Sequence, residues 1–451
     1  MPNVASPRWC ALALSAALAA CAVDRAGQAP RDDADGGRPR DAAPRDDAAP
    51  PDLGAAHCGD GVREGAEACD GDDLDGASCG SAGFLRGTLG CDTDCRLDTA
   101  GCANPPADWR DTACPHRRLV TVPAGRATEP LAGFPLLVTI TDTGLRDHAL
   151  ATGEDLLFAD AETGARLPHA REAYDPATGA LAAWVRVPLG GPAATRLHLY
   201  YGDRACGAAT PNTPTEVWDA DFRGVWLLAE DGARPRLDAT AAAFHATRGN
   251  YDGDEDLPGG IAGAERLDGV DDHLALPVEV LEGFDTFTVC VWLRTDENRS
   301  NATNWRNPTI FGQISTGLES ADFGVFTESG RVGLRSGLCA RADEIRVSMT
   351  MIRDGDFHQV CAIGGPEATV VTVDDVQVAA VCPVTRRVAP PNFWLGGQRG
   401  QTAAETGSHH RGDYDHLEVS GVVRSHAWRS ARYANQRDPA AFVVTGPEET
   451  W

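Results

Sequence analysis

The 451-residue sequence contains no lysine: all 40 of its basic side chains are arginines, set against 66 acidic ones, for a formal net charge of −26. Such a surface repels phosphate, which excludes nucleic acid as a charge-driven partner and disfavours docking on anionic lipid. Long apolar runs are also missing. The one near the start, Cys10 to Ala20 (CALALSAALAA), is about eleven residues and too short to cross a bilayer as a helix. Absent too are the His-Glu-x-x-His helix and the phosphate loop, each of which carries a chemistry of its own. What remains is ordinary for folded domains. Hydrophobic residues make up 42% and charged residues 24%. The length allows about two to four domains at ~100–200 residues each.

The apolar stretch at 10–20 follows a brief segment holding Arg8 and suits the central region of an export signal. It ends in Leu18-Ala19-Ala20-Cys21, which resembles the bacterial lipobox. That resemblance implies that residues 1–20 are removed and that Cys21 is lipidated as the mature first residue. Several acyl chains on one residue anchor a protein stably, because each buried CH₂ contributes about 0.8 kcal/mol. The competing reading is an ordinary secretory signal with an incidental Cys21. Residues 21–56 follow as a tether. From Ala22 onward only Val23, Gln28 and Leu53 depart from Ala, Pro, Asp, Arg and Gly, and no aromatic is present to offset the entropy of ordering.

Fourteen cysteines are present, and twelve lie beyond Cys21. An even number in an exported chain favours disulfides. Six of them, Cys58, Cys69, Cys79, Cys91, Cys95 and Cys102, fall in a Gly- and Asp-rich segment at 57–104 with almost no core-forming side chains. A segment this small needs covalent staples. Cys58-Gly59-Asp60-Gly61 and Glu67-Ala68-Cys69-Asp70 resemble the myxobacterial cysteine-rich repeat, with Ala66 where glycine is usual. The spacing leaves the pairing open. Zinc held by Cys91 and Cys95 is the weaker reading, because no standard ribbon spacing is present. Asp70, Asp72, Asp73 and Asp75 read as a solvated acidic loop in preference to a calcium site.

Residues 109–212 carry short apolar or alternating runs at 119–122, 134–141, 156–160, 181–189 and 195–202, separated by Gly, Pro, Asp and Thr, as expected of a β-sandwich. Phe134-Pro135-Leu136-Leu137-Val138, Asp155 with Phe158, Trp184-Val185-Arg186-Val187-Pro188 and Tyr200-Tyr201-Gly202 resemble a bacterial surface domain of unknown function that commonly precedes a jelly roll. Cys114 and Cys206 bracket the module and are expected to pair. His116, His148, His169 and His198 have no ligand-like spacing and read as surface or hydrogen-bonded histidines.

Residues 217–447 again read all-β. Phe222–Leu228, Leu267-Asp268-Gly269-Val270-Asp271-Asp272-His273-Leu274, Phe287–Leu293, Asp354–Val360, Thr372–Val378, Phe393-Trp394-Leu395-Gly396-Gly397 and Tyr414–Val419 resemble the concanavalin A-like, laminin-G-type (LamG-like) jelly roll. Residues 287–293 are apolar on both faces, which fits a strand buried inside a sandwich. Residues 370–378 alternate around Asp374-Asp375, as a hairpin would, although Asp-Asp suits its tight turn less well than Asn-Gly. Pentraxins share this fold and join two such strands by a disulfide, which implies a Cys290–Cys361 pair. Cys339 and Cys382 are then left to each other.

The expected architecture is therefore all-β: a disordered tether and a disulfide-rich knot, then two β-sandwich domains, the second a concanavalin A-like jelly roll. Such jelly rolls bind sugars or proteins at rim loops, often with calcium. Candidate ligand-binding groups are Asn301, Asn304 and Trp305, with a packing tryptophan as the competing reading for Trp305. Candidate calcium ligands are Asp252, Asp254 and Asp256, with a solvated loop as the alternative. The Glu-x-Asp-x-x-Glu strand signature of one family of glycoside hydrolases is absent, and Glu319 and Asp322, three apart, fall on opposite strand faces. The reading is a non-enzymatic lipoprotein of the cell envelope, facing outward from the outer membrane. It would adhere to a glycan or a surface protein, with the membrane engaged only through its lipid. The rival readings are a purely structural envelope module and a diverged glycan hydrolase.

Overall fold

The computed structural model describes residues 57–451 except 191–192, 207–211, 231, 233, 254, 284, 302–305, 314–321, 340–341, 385–392 and 399–407. The expected signal, Cys21 and the tether at 21–56 lie outside the described residues, as do Asp254, Asn304 and Trp305.

The segment from Cys58 to Cys102 is held by three disulfides, Cys58–Cys95, Cys69–Cys91 and Cys79–Cys102. Both thiols weighed as zinc ligands are thereby consumed. Asp70 is not part of a solvated loop, as the sequence reading had it. It is 1% exposed, and its carboxylate accepts from the backbone N–H groups of Gly59, Asp60 and Gly61 at 2.7, 3.2 and 3.0 Å. Gly59 and Gly61 have φ of +99° and +88°, so the loop wraps the carboxylate at positions that side chains other than glycine disfavour. The paired Cys-Gly-Asp-Gly and Cys-Asp motifs are thus two halves of one capped turn.

The first sandwich sets a five-stranded sheet against a three-stranded one. The larger runs in the order Val444–Thr450, His116–Val122, Thr195–Tyr201, Leu157–Asp160, Arg166–Leu167, and the smaller in the order Leu131–Thr141, Ala180–Leu189, His169–Asp175. Cys114 bonds to Cys206, tying together the ends of two neighbouring strands. The strand Val444–Thr450 lies far along the chain, so the boundary read at 447 falls inside an element of the first sandwich. Its alternation is broken by Gly446-Pro447, where the register with His116–Val122 shifts.

The second sandwich pairs an eight-stranded and a seven-stranded sheet. Phe287–Arg294 runs between Arg411–Ser420 and His358–Gly364. Phe287, Val289, Val291 and Leu293 enter the core, and Cys290 bonds to Cys361 across the neighbouring strand. Asp374 and Asp375 form the two-residue turn between Thr369–Val373 and Val376–Val381, both at positive φ (50° and 63°). Aspartate tolerates this region better than most residues. Cys382 is disulfide-bonded, and Ser336 Oγ lies 3.6 Å from its sulfur; the side chain of Cys339 is outside the described residues.

Helical elements depart from the all-β reading of 217–447, among them the short helix Pro439–Phe442 and one longer helix. His426–Arg437 is a helix, capped by Ser425, whose Oγ accepts from Trp428 N. It covers the outer face of Phe287–Arg294: Trp292 Nε1 donates to Gln436 Oε1 at 2.8 Å, and Trp292 stacks on Tyr433. Its other side reaches the first sandwich. Asn435 accepts from Leu137 N at 2.7 Å and donates to Leu137 O at 2.9 Å, satisfying a free edge of the smaller sheet. One apolar cluster accordingly combines Phe134, Leu136, Val138 and Trp184 with Val217, Trp218, Phe222, Trp428 and Phe442. The two sandwiches share a core.

Candidate functional site

Where the sandwiches meet they leave a groove of about 680 Å³. One wall is the three-stranded sheet, with Thr139, Glu172, Tyr174 and Leu181; the other is jelly-roll chain, with Leu228, Glu230, Leu257, Pro258 and Ile261. The register of His169–Asp175 against Ala180–Leu189 shifts at Glu172, which bonds to Trp184, while Tyr174 donates its hydroxyl to Leu145 O of the first sandwich at 2.9 Å.

Glu172 is held by Trp184, whose Nε1 donates to Glu172 Oε2 at 2.6 Å. Trp184 is itself fixed: it stacks on His416 with centroids 4.7 Å apart, and the Arg432 guanidinium lies over its ring. Glu172 Oε1 is buried without a hydrogen-bonding partner. Two further carboxylates behave alike. Asp415 Oδ2 accepts from Gly260 N at 2.7 Å and Ile261 N at 2.9 Å, while its Oδ1 is buried and unpartnered. Glu230 Oε1 accepts from Leu237 N at 2.7 Å, while its Oε2 is unpartnered. A side chain on Gly259 would strike Asp415 Oδ2 at 2.6 Å, so the glycine allows the loop to close on the carboxylate.

Burial pushes Glu172 up to about 8, and the charges of Asp415 and Glu230 add to the shift. Burial likewise raises Asp415 to about 7, against the lowering effect of its two backbone donors. Around neutral pH Glu172 therefore keeps its proton, while Asp415 is fully buried under Gly260 and Ile261 and does not itself line the groove. Glu172 and Glu230 line it, each with one carboxyl oxygen that has no hydrogen-bonding partner.

The residues singled out in the sequence are not gathered into one site. Asn301 donates its backbone N–H to Asn307 Oδ1 at 2.6 Å, in a loop remote in sequence from the groove walls. Asp252 N and Gly253 N both donate to Glu255. Asp256 lines the groove, but its carboxylate is paired with Arg236 at 2.6 Å and accepts from Gly232 N. A guanidinium therefore already neutralises Asp256, and Asp254 lies outside the described residues. Conversely Glu172, Glu230 and Asp415 escaped the sequence reading. The one signal was Asp415 inside the otherwise buried run Tyr414–Val419, since a carboxylate at such a position has a specific partner or a function.

His148 is exposed and hydrogen-bonded to Glu448, and His169 is hydrogen-bonded through both ring nitrogens, as the sequence suggests. His116 and His148 stack with centroids 4.0 Å apart, and both turn toward Glu448 on the strand that returns from beyond the jelly roll.

No family model matches the sequence, and no curated protein matches it. Solved structures similar to it share the β-sandwich class at low identity. They include domain 4 of AbnA, an extracellular arabinanase of Geobacillus stearothermophilus solved with arabinotriose (16% identity, TM-score 0.37, 48% of this chain and 100% of that one). The binding domain of Paraclostridial mosquitocidal protein 1 has 8% identity and a TM-score of 0.35, over 47% of this chain and 52% of that one. The receptor-binding domain of botulinum neurotoxin D has 8% identity and a TM-score of 0.36, over 48% and 53%. The match thus spans about half the length of these toxin domains. Likeness at this level assigns neither a family nor a ligand.

Proposed function

We propose that this chain is an exported, lipid-anchored binding protein that holds a hydroxyl-rich glycan in the groove between its two sandwiches. The observation that carries the reading is the pair of groove-lining carboxyl groups, Glu172 and Glu230, each anchored through one oxygen and unpartnered at the other. Sugar hydroxyls both donate and accept, and they match a carboxyl that keeps its proton better than a fixed charge would. Tyr174, Leu181 and Pro258 supply apolar surface for the faces of sugar rings.

Lipidation at Cys21 and an outward-facing place on the outer membrane belong to the same proposal. They are supported by the lipobox-like sequence and by a chain rich in disulfides. The role is adhesion or capture, not catalysis. Calcium, which as a hard cation takes carboxylate ligands, is tested in the same experiment.

A glycan array run with and without chelator tests the binding reading. Retention of one glycan class, reduced in Glu230→Ala, supports it. Clean arrays in both conditions favour a structural envelope module, and release of reducing ends from a bound polysaccharide favours a hydrolase. Metabolic labelling with a fatty acid, abolished in Cys21→Ser, tests the anchor separately.

A further inference from the structure

We propose that His116, His148 and Glu448 form a binding site for a divalent first-row transition-metal ion, of which Zn²⁺ is the simplest probe. The three residues come from three elements: the first residue of strand His116–Val122, the last residue of the helix Thr143–His148, and the strand Val444–Thr450. Their ligand atoms converge. His148 Nδ1 lies 2.8 Å and His116 Nδ1 2.9 Å from the same oxygen, Glu448 Oε1. His116 Nδ1 is buried and has no hydrogen-bonding partner, which leaves it available to an ion. Tyr201 donates its hydroxyl to the same Glu448 oxygen at 3.0 Å, a second-sphere contact of the kind that orients a ligating carboxylate.

The surroundings leave room for these ligands. A side chain at Gly144 would meet Glu448 Oε2 at 2.7 Å, and one at Gly202 would meet His116 Cδ2 at 2.5 Å. Two glycines thus hold the space that the carboxylate and the imidazole occupy. The His148 side chain is 41% exposed and gives an ion a way in. Of the two arginines beside the cluster, Arg118 is paired with Asp142 and Arg86 donates to Trp451 O. Two imidazoles and a carboxylate suit zinc and its neighbours; calcium and magnesium prefer all-oxygen sites. Three protein ligands leave at least one position for water.

The position has a structural consequence. An ion here would cross-link the strand Val444–Thr450 to the edge of the first sandwich, at the point where the chain returns after the whole jelly roll. The site is separate from the groove, and its test does not depend on what the groove binds.

The experiment is a titration of the untagged full chain, stripped with chelator, with Zn²⁺ followed by calorimetry and with Co²⁺ followed by visible absorption. The expected result is one Zn²⁺ site and a Co²⁺ spectrum with a d–d band, both weakened at least about tenfold in His148→Ala and in Glu448→Gln. Unfolding curves in chelator establish that each variant is folded. Should Glu448→Gln not fold, the half-exposed His148 decides the matter alone. No Zn²⁺ binding by the wild type, or binding unchanged in His148→Ala, overturns the proposal.

Discussion

Arg432 and Glu418 meet at 2.6 Å with both side chains almost wholly buried, 1% and 9% exposed. Glu418 sits on Arg411–Ser420 in the jelly roll, and the same guanidinium donates to Pro135 O of the first sandwich at 2.6 Å. One side chain thus spans the seam. It also lies over Trp184, which positions Glu172 in the groove. The Arg432 pair holds Glu418 ionised, down at about 2 despite full burial, with His416 as a second partner.

Removing one member of this pair leaves an uncompensated buried charge. Arg432→Met is expected to destabilise the protein by about 3–5 kcal/mol. Denaturant unfolding followed by tryptophan fluorescence should show the single transition of the wild type split, as the sandwiches lose their shared seam. An unchanged midpoint would mean that the seam does not rest on Arg432.

Asn435 acts as a one-residue strand, donating to and accepting from Leu137. Asn435→Ala strands two buried backbone groups at a sheet edge. The expected cost is about 1–3 kcal/mol, read from chemical denaturation, together with a rise in aggregation on heating because an edge is bared.

The Cys114–Cys206 bond closes a loop with a sequence separation of 92. Replacing both cysteines by serine should cost about 4–5 kcal/mol in the chain-entropy model. A thermal scan showing no loss would place most of that stability in the sheet itself.

Two groups make stability fall as pH rises, over different windows. His358 is raised to about 9, chiefly by its hydrogen bond to Asp374, with burial opposing and Asp354 assisting. Its folded value exceeds the unfolded one, so its stabilisation is complete below pH ~6.5 and is lost as pH rises through about 9. Asp374→Asn should remove that loss from the stability curve. Glu172 is also raised, to about 8, but here the folded state is favoured only while the carboxyl keeps its proton. Its contribution is complete below pH ~4.3 and disappears as pH rises through about 8. Glu172→Gln should therefore gain on the wild type progressively between those limits. Parallel curves for the two proteins would contradict the assignment.

The strands were legible because their signals are local. Phe287–Arg294 is apolar on both faces, and Asp374-Asp375 interrupts an alternating run. The helix His426–Arg437 was not legible, although Ser425 is an ordinary cap. Its buried stripe includes Arg432, Asn435 and Gln436, which read as surface residues until their partners across the seam are known. The strand Val444–Thr450 was missed because its partner lies more than three hundred residues earlier and Gly446-Pro447 breaks its pattern. The groove was missed for the same reason: Glu172 belongs to one sandwich and Glu230 to the other, and no spacing in the sequence relates them.

The account turns on the groove. Its most direct test is calorimetric titration of the wild type, Glu172→Ala, Glu230→Ala and Asn301→Ala with a soluble oligosaccharide of the class retained on the array. Affinity should fall at least about tenfold, roughly 1.4 kcal/mol, in each of the two groove variants and stay unchanged in Asn301→Ala. Equal affinity in all four proteins, or a loss confined to Asn301→Ala, would contradict it and move the binding surface to the rim loops.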